Sequence, residues 1–246
     1  MKKMEPSYQR SMVIVHGLSE QSICSNIKSN LRLPQEIISR DNGRCSIQIT
    51  SLMPLLNDSR FKDYKSFIRA FPKVEHAKNQ LKNFQLFIVM DVDDCTEDEK
   101  RKFKDKSMFD GHWLKDYIVP IYNDPNLEET MKKASIPINK KKEYITIFPT
   151  SHGDLDITVA EKLYEKLKNC NCTNMDEYIK FRTEMFQAQG KSTDRSNADF
   201  FTPEEWERID NGTYTDWVDL ILCNGQQYSN TITASGGNAD GTFSIG

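Results

Sequence analysis

Residues 84–94, FQLFIVMDVDD, are a continuous apolar run that ends in three aspartates. A run of this length between polar residues is typical of a strand buried on both faces, as in a parallel sheet. The charged segment 97–106 follows directly and predicts a helix. Because sites in open α/β sheets form beyond the carboxyl ends of the strands, Asp91, Asp93 and Asp94 are the first candidate site.

A second, shorter apolar run covers residues 11–15, SMVIV, and stops at His16 and Gly17. A segment with apolar residues at helical spacing begins near Glu20. Two units of strand, turn and helix indicate βαβ connections and a mainly parallel sheet. If the two strands are neighbours, we expect His16 and Glu20 to lie beside the aspartates.

The other elements are predicted from periodicity and from turn signals at Gly, Pro and Asn. Further strands are expected at residues 45–50, 117–122 and 144–148. Helical segments are expected at residues 59–82, with a break at Pro72, at 157–168 and 175–188, and from Thr202 onward.

Three parts of the chain follow from these elements. Strands separated by helices predict an α/β domain over residues 8–150, with a mainly parallel sheet flanked by helices. Helical periodicity alone predicts a mostly helical C-terminal extension over residues 151–223, packed on that domain. Residues 224–246 lack Lys and Arg and are rich in Gly, Ser, Thr and Asn, which predicts a polar tail.

Composition narrows the function classes. The chain has 246 residues, of which 37% are hydrophobic and 28% charged, and its apolar runs are far shorter than the roughly 20 residues that cross a bilayer. We therefore expect neither a membrane protein nor a secreted one, and a cytoplasmic location. The six cysteines lack zinc-site spacing and are expected to be reduced thiols.

The formal net charge of −3 hides an uneven distribution. Residues 1–82 contain 14 basic and 7 acidic residues, whereas residues 143–246 contain 8 and 17. A basic N-terminal part can attract phosphates, and the acidic C-terminal part would repel them. Lys100, Arg101 and Lys102 follow the aspartates and are candidates for binding a nucleic-acid backbone, although a solvated helix face is the alternative.

Two motifs resemble those of TOPRIM domains. Residues 13–20, VIVHGLSE, resemble the first motif, a strand that ends in Glu-Gly and is followed, in RloB-like and OLD-like abortive-infection nucleases, by Thr or Ser and Glu. Residues 87–93, FIVMDVD, resemble the second motif, a strand that ends in D-x-D. The order of the motifs, their separation and the helix after each agree over about residues 10–150. The resemblance implies a TOPRIM-like sheet.

The resemblance also implies a metal-dependent nuclease that acts on DNA or RNA in a prokaryotic antiviral or abortive-infection system. Members act beside an ATPase partner or as dimers, so an ATPase partner protein or a homodimer is expected. Hard oxygen ligands suit Mg²⁺ or Mn²⁺, and the expected ligands are Glu20, Asp91, Asp93 and Asp94. The expected catalytic residues are His16, Glu20, Asp91 and Asp93. Gly17 would let the backbone approach a phosphate.

One position departs from the family pattern, because His16 stands where the family has its first glutamate. Three interpretations remain open: Glu20 replaces the lost carboxylate, His16 is the general acid/base or a Mn²⁺ ligand, or the domain is catalytically inactive. An inactive domain would bind nucleic acid or a partner protein. An unrelated phosphate receiver or hydrolase that uses the aspartates is a further alternative. Glu128, which follows the strand at 117–122, is an additional candidate, although Glu in a first helical turn is common for dipole reasons alone.

Overall fold

A four-stranded parallel sheet organises the protein in a computed structural model that describes residues 8–138, 140–188, 234–238 and 241–245. Its strands, in spatial order, are β2 (Gln35–Ile38), β1 (Ser11–Val15), β5 (Gln85–Asp91) and β6 (Ile118–Asn123). β1 and β5 are neighbours, with Val13 opposite Phe87. The expected α/β class with a parallel sheet flanked by helices is confirmed.

Helices cover both faces of the sheet. The helices are α1 (Leu18–Leu31), α2 (Leu52–Leu56), α3 (Tyr64–Ala70), α4 (Glu97–Lys104), α5 (Leu127–Lys133), α6 (Glu143–Ile147), α7 (Ile157–Leu167) and α8 (Met175–Ala188). Alternate residues of a strand point to opposite faces. Val13 and Val15 therefore pack with α1, α5, α6, α7 and α8, whereas Met12 and Ile14 pack with α2, α3 and α4.

The two C-terminal helices of this unit, α7 and α8, confirm the expected helical C-terminal part. Arg182 of α8 has no exposed surface, and its guanidinium donates to Ser11 Oγ at 2.5 Å and to the Leu33 carbonyl at 3.0 Å. These two bonds join α8 to the amino-terminal ends of β1 and β2. Residues 1–193 cluster into one compact unit, so α7 and α8 belong to the same unit as the sheet.

The edge strand β6 is covered by a side chain. Pro120 has no N–H to donate, and its carbonyl accepts from Asn174 Nδ2 at 3.1 Å. The Tyr122 N–H donates to Asn174 Oδ1 at 2.9 Å. The Asn174 amide thus occupies backbone groups that another strand would use.

The expectation of a strand at residues 144–148 is wrong, because this segment lies in and directly after helix α6. Tyr144 and Phe148 are buried and their rings stack, whereas Ile145 and Ile147 are 55% and 37% exposed. Thr146, which would share the face of Tyr144 and Phe148 in a strand, is exposed, so the buried residues follow the four-residue spacing of a helix face.

Two other expectations are wrong in detail. Residues 45–50 are not a strand but an irregular segment that ends in a 3-10 turn at Ile49–Ser51, and the edge strand β2 precedes it. The helical region expected at 59–82 is helical only over α3. Beyond Pro72 the chain makes a hairpin of β3 (His76–Ala77) and β4 (Gln80–Leu81), whose turn residues Lys78 and Asn79 have positive φ.

The C-terminal residues 194–246 cluster separately. Within them, β7 (Ala234–Asn238) and β8 (Gly241–Ile245) pair as an antiparallel hairpin inside the segment expected to be a polar tail. The helix expected from Thr202 lies outside the described residues. In the part of the chain that the structure describes, no helix has the length and apolar character needed to span a membrane.

Candidate functional site

The carboxyl ends of β1 and β5 meet at one edge of the sheet, as the two motifs predict. The His16 N–H, directly after β1, donates to the Val89 carbonyl of β5 at 2.9 Å. Asp91 is the last residue of β5 and lies opposite Asn123, the last residue of β6. The first turn of α1 adds Glu20 to the same edge, so three connected elements place the predicted residues together.

Glu20 is buried against its own helix start. Glu20 is only 2% exposed, and its Oε2 accepts a hydrogen bond from the Gly17 N–H at 2.9 Å. Burial raises the pKa of Glu20, and the negative charge of Glu128 raises it further. The hydrogen bonds and the positive charge of His16 oppose that rise, which means that His16 lies close enough to act on this carboxylate.

Asp91 is the second buried carboxylate. It is 4% exposed, and its Oδ1 accepts from Asn123 Nδ2 at 3.2 Å and from the Leu127 N–H at 3.0 Å. Burial raises the pKa of Asp91 to about 8, and the negative charges of Glu20 and Glu128 add to the rise. The Asn123 hydrogen bond opposes it. Asp91 is thus held in place by two donors, yet its charge is poorly compensated.

Glu128 is the third carboxylate, in the first turn of α5. Its Oε1 is buried without a hydrogen-bond partner among the described residues, and Lys141 Nζ lies 3.8 Å away. The negative charge of Glu128 acts on the pKa of both Glu20 and Asp91. We call Glu20, Asp91 and Glu128 the carboxylate cluster.

Tyr144 closes the cluster from α6. Its residue has no exposed surface, and its hydroxyl has no hydrogen-bond partner among the described residues. Burial and the charges of Glu128, Glu20 and Asp91 all raise the pKa of Tyr144, so its phenol faces the cluster. The sequence pattern predicts a strand at residues 144–148, and aromatic residues four apart fit a strand face as well as a helix face, so no local signal identifies Tyr144 as a site residue.

The other two aspartates are arranged differently. Asp93 is exposed, and its Oδ2 accepts from Asn126 Nδ2 at 2.9 Å, while its charge contributes to the raised pKa of Asp91. Asp94 is exposed, and its charge raises the pKa of Cys95. Asp93 therefore lies at the rim of the cluster, and Asp94 faces solvent.

The carboxylate cluster suits a divalent metal ion by the chemical type of its donor atoms. Carboxylate oxygens are the ligands that Mg²⁺ and Mn²⁺ prefer. Glu128 Oε1 is buried and accepts no hydrogen bond from the described residues, and Lys141 Nζ is 3.8 Å away. Among the described residues, no three His, Cys, Asp or Glu side chains already surround one point as metal ligands. Glu20 and Asp91 supply the donors, and a third carboxylate must turn toward them.

The residues expected to contact nucleic acid already form hydrogen bonds or ion pairs within the protein. The Gly17 N–H is used by Glu20, and Gly17 has an extended φ of −158° that any residue adopts. On α4, Lys100 pairs with Asp124 at 2.8 Å, Arg101 with Asp98 at 2.6 Å, and Lys102 with Asp98 at 2.6 Å. Their role in binding a nucleic-acid backbone stays a prediction.

Comparisons with protein-family models, with curated proteins and with solved structures found no match to this chain. The resemblance to TOPRIM domains therefore rests on the two motifs and their placement at the ends of neighbouring strands.

Proposed function

We propose that this protein is a divalent-cation-dependent nuclease that hydrolyses phosphodiester bonds of DNA or RNA. The observation that carries the proposal is the carboxylate cluster itself. Glu20, Asp91 and Glu128 come from three elements to the carboxyl edge of the sheet, and the charge of Glu128 raises the pKa of both Glu20 and Asp91. Burying like charges together costs stability unless a cation compensates them.

The buried phenol of Tyr144 is a second, independent observation at the same place. An unpartnered hydroxyl with no exposed surface is unusual in a folded protein, and this one faces three carboxylates. A hydrated cation among the carboxylates would present water to that hydroxyl. The cluster and Tyr144 therefore support a Mg²⁺ or Mn²⁺ site held by Glu20, Asp91 and Glu128, with Asp93 at its rim.

The bound ion would polarise a phosphate oxygen and lower the pKa of the attacking water. Asp91, fixed by Asn123 and Leu127, would hold the ion in a constant position relative to the sheet edge. His16 and Glu20 would transfer the proton of the attacking water as general acid and base. His16 Nδ1 is buried without a partner among the described residues, and His16 lies near Glu20.

The test combines metal binding with cleavage. We expect Mg²⁺ or Mn²⁺ to raise the Tm of the wild-type protein and to support cleavage of plasmid DNA or total tRNA. Asp91→Asn should lose both effects, whereas Asp94→Asn, at the exposed aspartate, should retain them. The proposal fails if neither cation shifts the Tm, or if cleavage survives Asp91→Asn.

A second candidate function is a catalytically inactive module that binds nucleic acid or a partner protein. The position of His16, where the family has glutamate, favours it, since imidazole is a poor ligand for Mg²⁺. His16→Glu separates the two candidates. Cleavage by the wild-type protein supports the nuclease, whereas cleavage that appears only in His16→Glu supports the inactive module.

The biological setting is proposed from the resemblance alone. In this setting the protein is a cytoplasmic antiviral or abortive-infection effector that works with an ATPase partner or as a homodimer. A nuclease of this kind would be toxic unless restrained. Expression of the wild-type protein should therefore slow growth of a bacterial host more than expression of Asp91→Asn, and equal growth would count against this setting.

A further inference from the structure

Six exposed basic side chains lie within twenty-one residues on the face of the sheet covered by α3. They are Lys62, Lys65, Arg69, Lys73, Lys78 and Lys82. Residues 59–84 contain seven basic and two acidic residues, whereas the rest of the chain contains 26 and 34. The positive charge of this otherwise acidic protein is therefore concentrated in one short segment, which we call the basic surface.

The ion pairs among the described residues distinguish the basic surface from helix α4. None of the six lies within 4 Å of a carboxylate among the described residues. By contrast, α4 has four basic residues, and each is paired with an acidic one within 3.6 Å. The charges of α4 are largely neutralised within the protein, and those of the basic surface are available to a ligand.

A rigid aromatic base holds the basic surface in place. The Tyr64 ring of α3 packs edge-on against His76 of the hairpin at 6.2 Å and against Trp113 at 6.0 Å. Phe67 of α3 packs against Phe84, directly before β5, at 5.7 Å. Lys65 and Arg69 are four residues apart and lie on the same face of α3. The charges are thus carried by elements whose relative positions are fixed.

We propose that the basic surface binds the phosphate backbone of the nucleic acid that is the substrate of the carboxylate cluster. This proposal rests on the proposed nuclease function and names where the polymer is held. Lys and Arg without acidic partners gain most from phosphates, because binding releases counterions and breaks no existing ion pair. The basic surface, and not the candidate residues of α4, is then the main site of backbone binding.

The fold sets the length of polymer required. The basic surface ends at Lys82, just before the amino-terminal end of β5, and Asp91 lies at the carboxyl end of that seven-residue strand. At about 3.3 Å per residue, the two are separated by roughly 20 Å. A duplex rises about 3.4 Å per base pair, so about six base pairs are needed to reach both. Shorter oligonucleotides could contact the basic surface or the carboxylate cluster, but not both at once.

The test measures binding of the full chain in EDTA, so that cleavage plays no part. A labelled 30-base-pair DNA duplex and a 30-nucleotide RNA are titrated at several salt concentrations and followed by fluorescence anisotropy. We expect the triple variant Lys65→Gln, Arg69→Gln, Lys73→Gln to bind at least tenfold more weakly at low salt. Its salt slope on the duplex should fall by about 0.9 for each phosphate that the variant no longer neutralises.

The matched control removes the same charge elsewhere. Lys132, Lys168 and Lys180 are exposed and each is paired with a glutamate, so Lys132→Gln, Lys168→Gln, Lys180→Gln should bind as the wild type does. Arg101→Gln with Lys102→Gln tests α4 in the same way. Thermal melts confirm that each variant is folded.

Three outcomes overturn the proposal: equal losses in the basic-surface and control variants, a loss only in the α4 variant, or loss of binding to phosphatidylserine vesicles with nucleic-acid binding intact. Its failure differs from failure of the proposed function. If wild type cleaves and the basic-surface variant binds normally, only the basic surface is wrong. If the variant loses binding but wild type never cleaves, only the nuclease is wrong.

Discussion

Asn123 donates its side-chain amide to Asp91 at 3.2 Å across the ends of two neighbouring strands. The same Asn123 side chain accepts from Thr173 Oγ1 at 2.9 Å, and Asn123 has no exposed surface. A buried chain of hydrogen bonds therefore runs from the loop before α8 through β6 to the cluster. It orients the carboxylate that most of the proposed chemistry depends on.

Replacing Asn123 should weaken both the fold and the site. Asn123→Ala removes one of the two donors to Asp91 and the acceptor of the Thr173 hydroxyl, so we expect unfolding by urea to show a loss of about 1–3 kcal/mol. It also removes the hydrogen bond that lowers the Asp91 pKa, so Mg²⁺ should bind more weakly. Thr173→Val breaks the bond to Asn123 and the bond from the Met175 N–H at 3.1 Å, but it leaves the bond from Asn123 to Asp91 in place, so Mg²⁺ binding should stay nearly unchanged. Equal losses of Mg²⁺ binding in the two variants would contradict this expectation.

The metal-free protein should lose stability as the pH rises. The pKa of Asp91 is about 8 in the fold, well above its ordinary value of 3.8, so the protonated form is favoured in the folded state. The free energy that this raised Asp91 pKa adds to folding is present in full below about pH 4 and is lost progressively up to about pH 8. Thermal melts in EDTA from pH 5 to pH 8 should show a falling Tm.

Asp91→Asn removes this source of pH dependence. The variant should show a flatter profile than the wild type and should match or exceed its Tm at pH 8, because an amide carries no charge. Asp94→Asn is the control and should follow the wild-type profile. Parallel profiles for wild type and Asp91→Asn would argue against a raised Asp91 pKa.

Tyr144→Phe tests whether the buried hydroxyl serves the site or only fills space. Removing an unpartnered buried hydroxyl should stabilise the metal-free protein by up to about 1–3 kcal/mol, measured by urea unfolding. If a hydrated cation contacts the hydroxyl, Tyr144→Phe should also reduce the Tm rise that Mg²⁺ produces. A variant that is destabilised without metal would show that Tyr144 has a partner in solution.

Two variants of Arg182 distinguish the contribution of packing to stability from that of the buried charge. Arg182→Ala leaves a cavity and unpaired groups at Ser11 and Leu33, so we expect a loss of about 3–5 kcal/mol. Arg182→Met fills similar volume without a buried charge and should lie within about 1.5 kcal/mol of wild type. Urea unfolding of the two variants provides the comparison. Equal, large losses would mean that the two hydrogen bonds, and not packing, dominate.

The sequence predicted the parts of the fold that local patterns determine. Apolar runs at β1 and β5 identified two buried strands, and the polar residues after each run identified the edge where they meet. Helices α7 and α8 followed from their 3.6-residue periodicity. Placement of His16, Glu20 and Asp91 at one edge needed only that β1 and β5 be neighbours, which the structure confirms.

What the sequence missed depends on packing between distant segments. The β-branched and aromatic residues at 144–148 fit a strand, yet packing of Tyr144 and Phe148 onto the core selects a helix. The strand β2 is a four-residue edge strand whose pairing with β1 is its main stabilisation, so its own pattern is weak. The role of Glu128 required knowing that α5 begins beside Asp91, where Leu127 donates its N–H.

The Asn174 amide beside Pro120 also limits how copies of this protein can assemble. Strand addition along β6 would require Asn174 to leave two backbone partners, and Pro120 would still offer no N–H to an incoming chain. A continuous sheet shared by two copies through β6 is therefore disfavoured, as is growth of a fibril from that side. A homodimer would therefore have to be built from helices or from other surfaces of the protein.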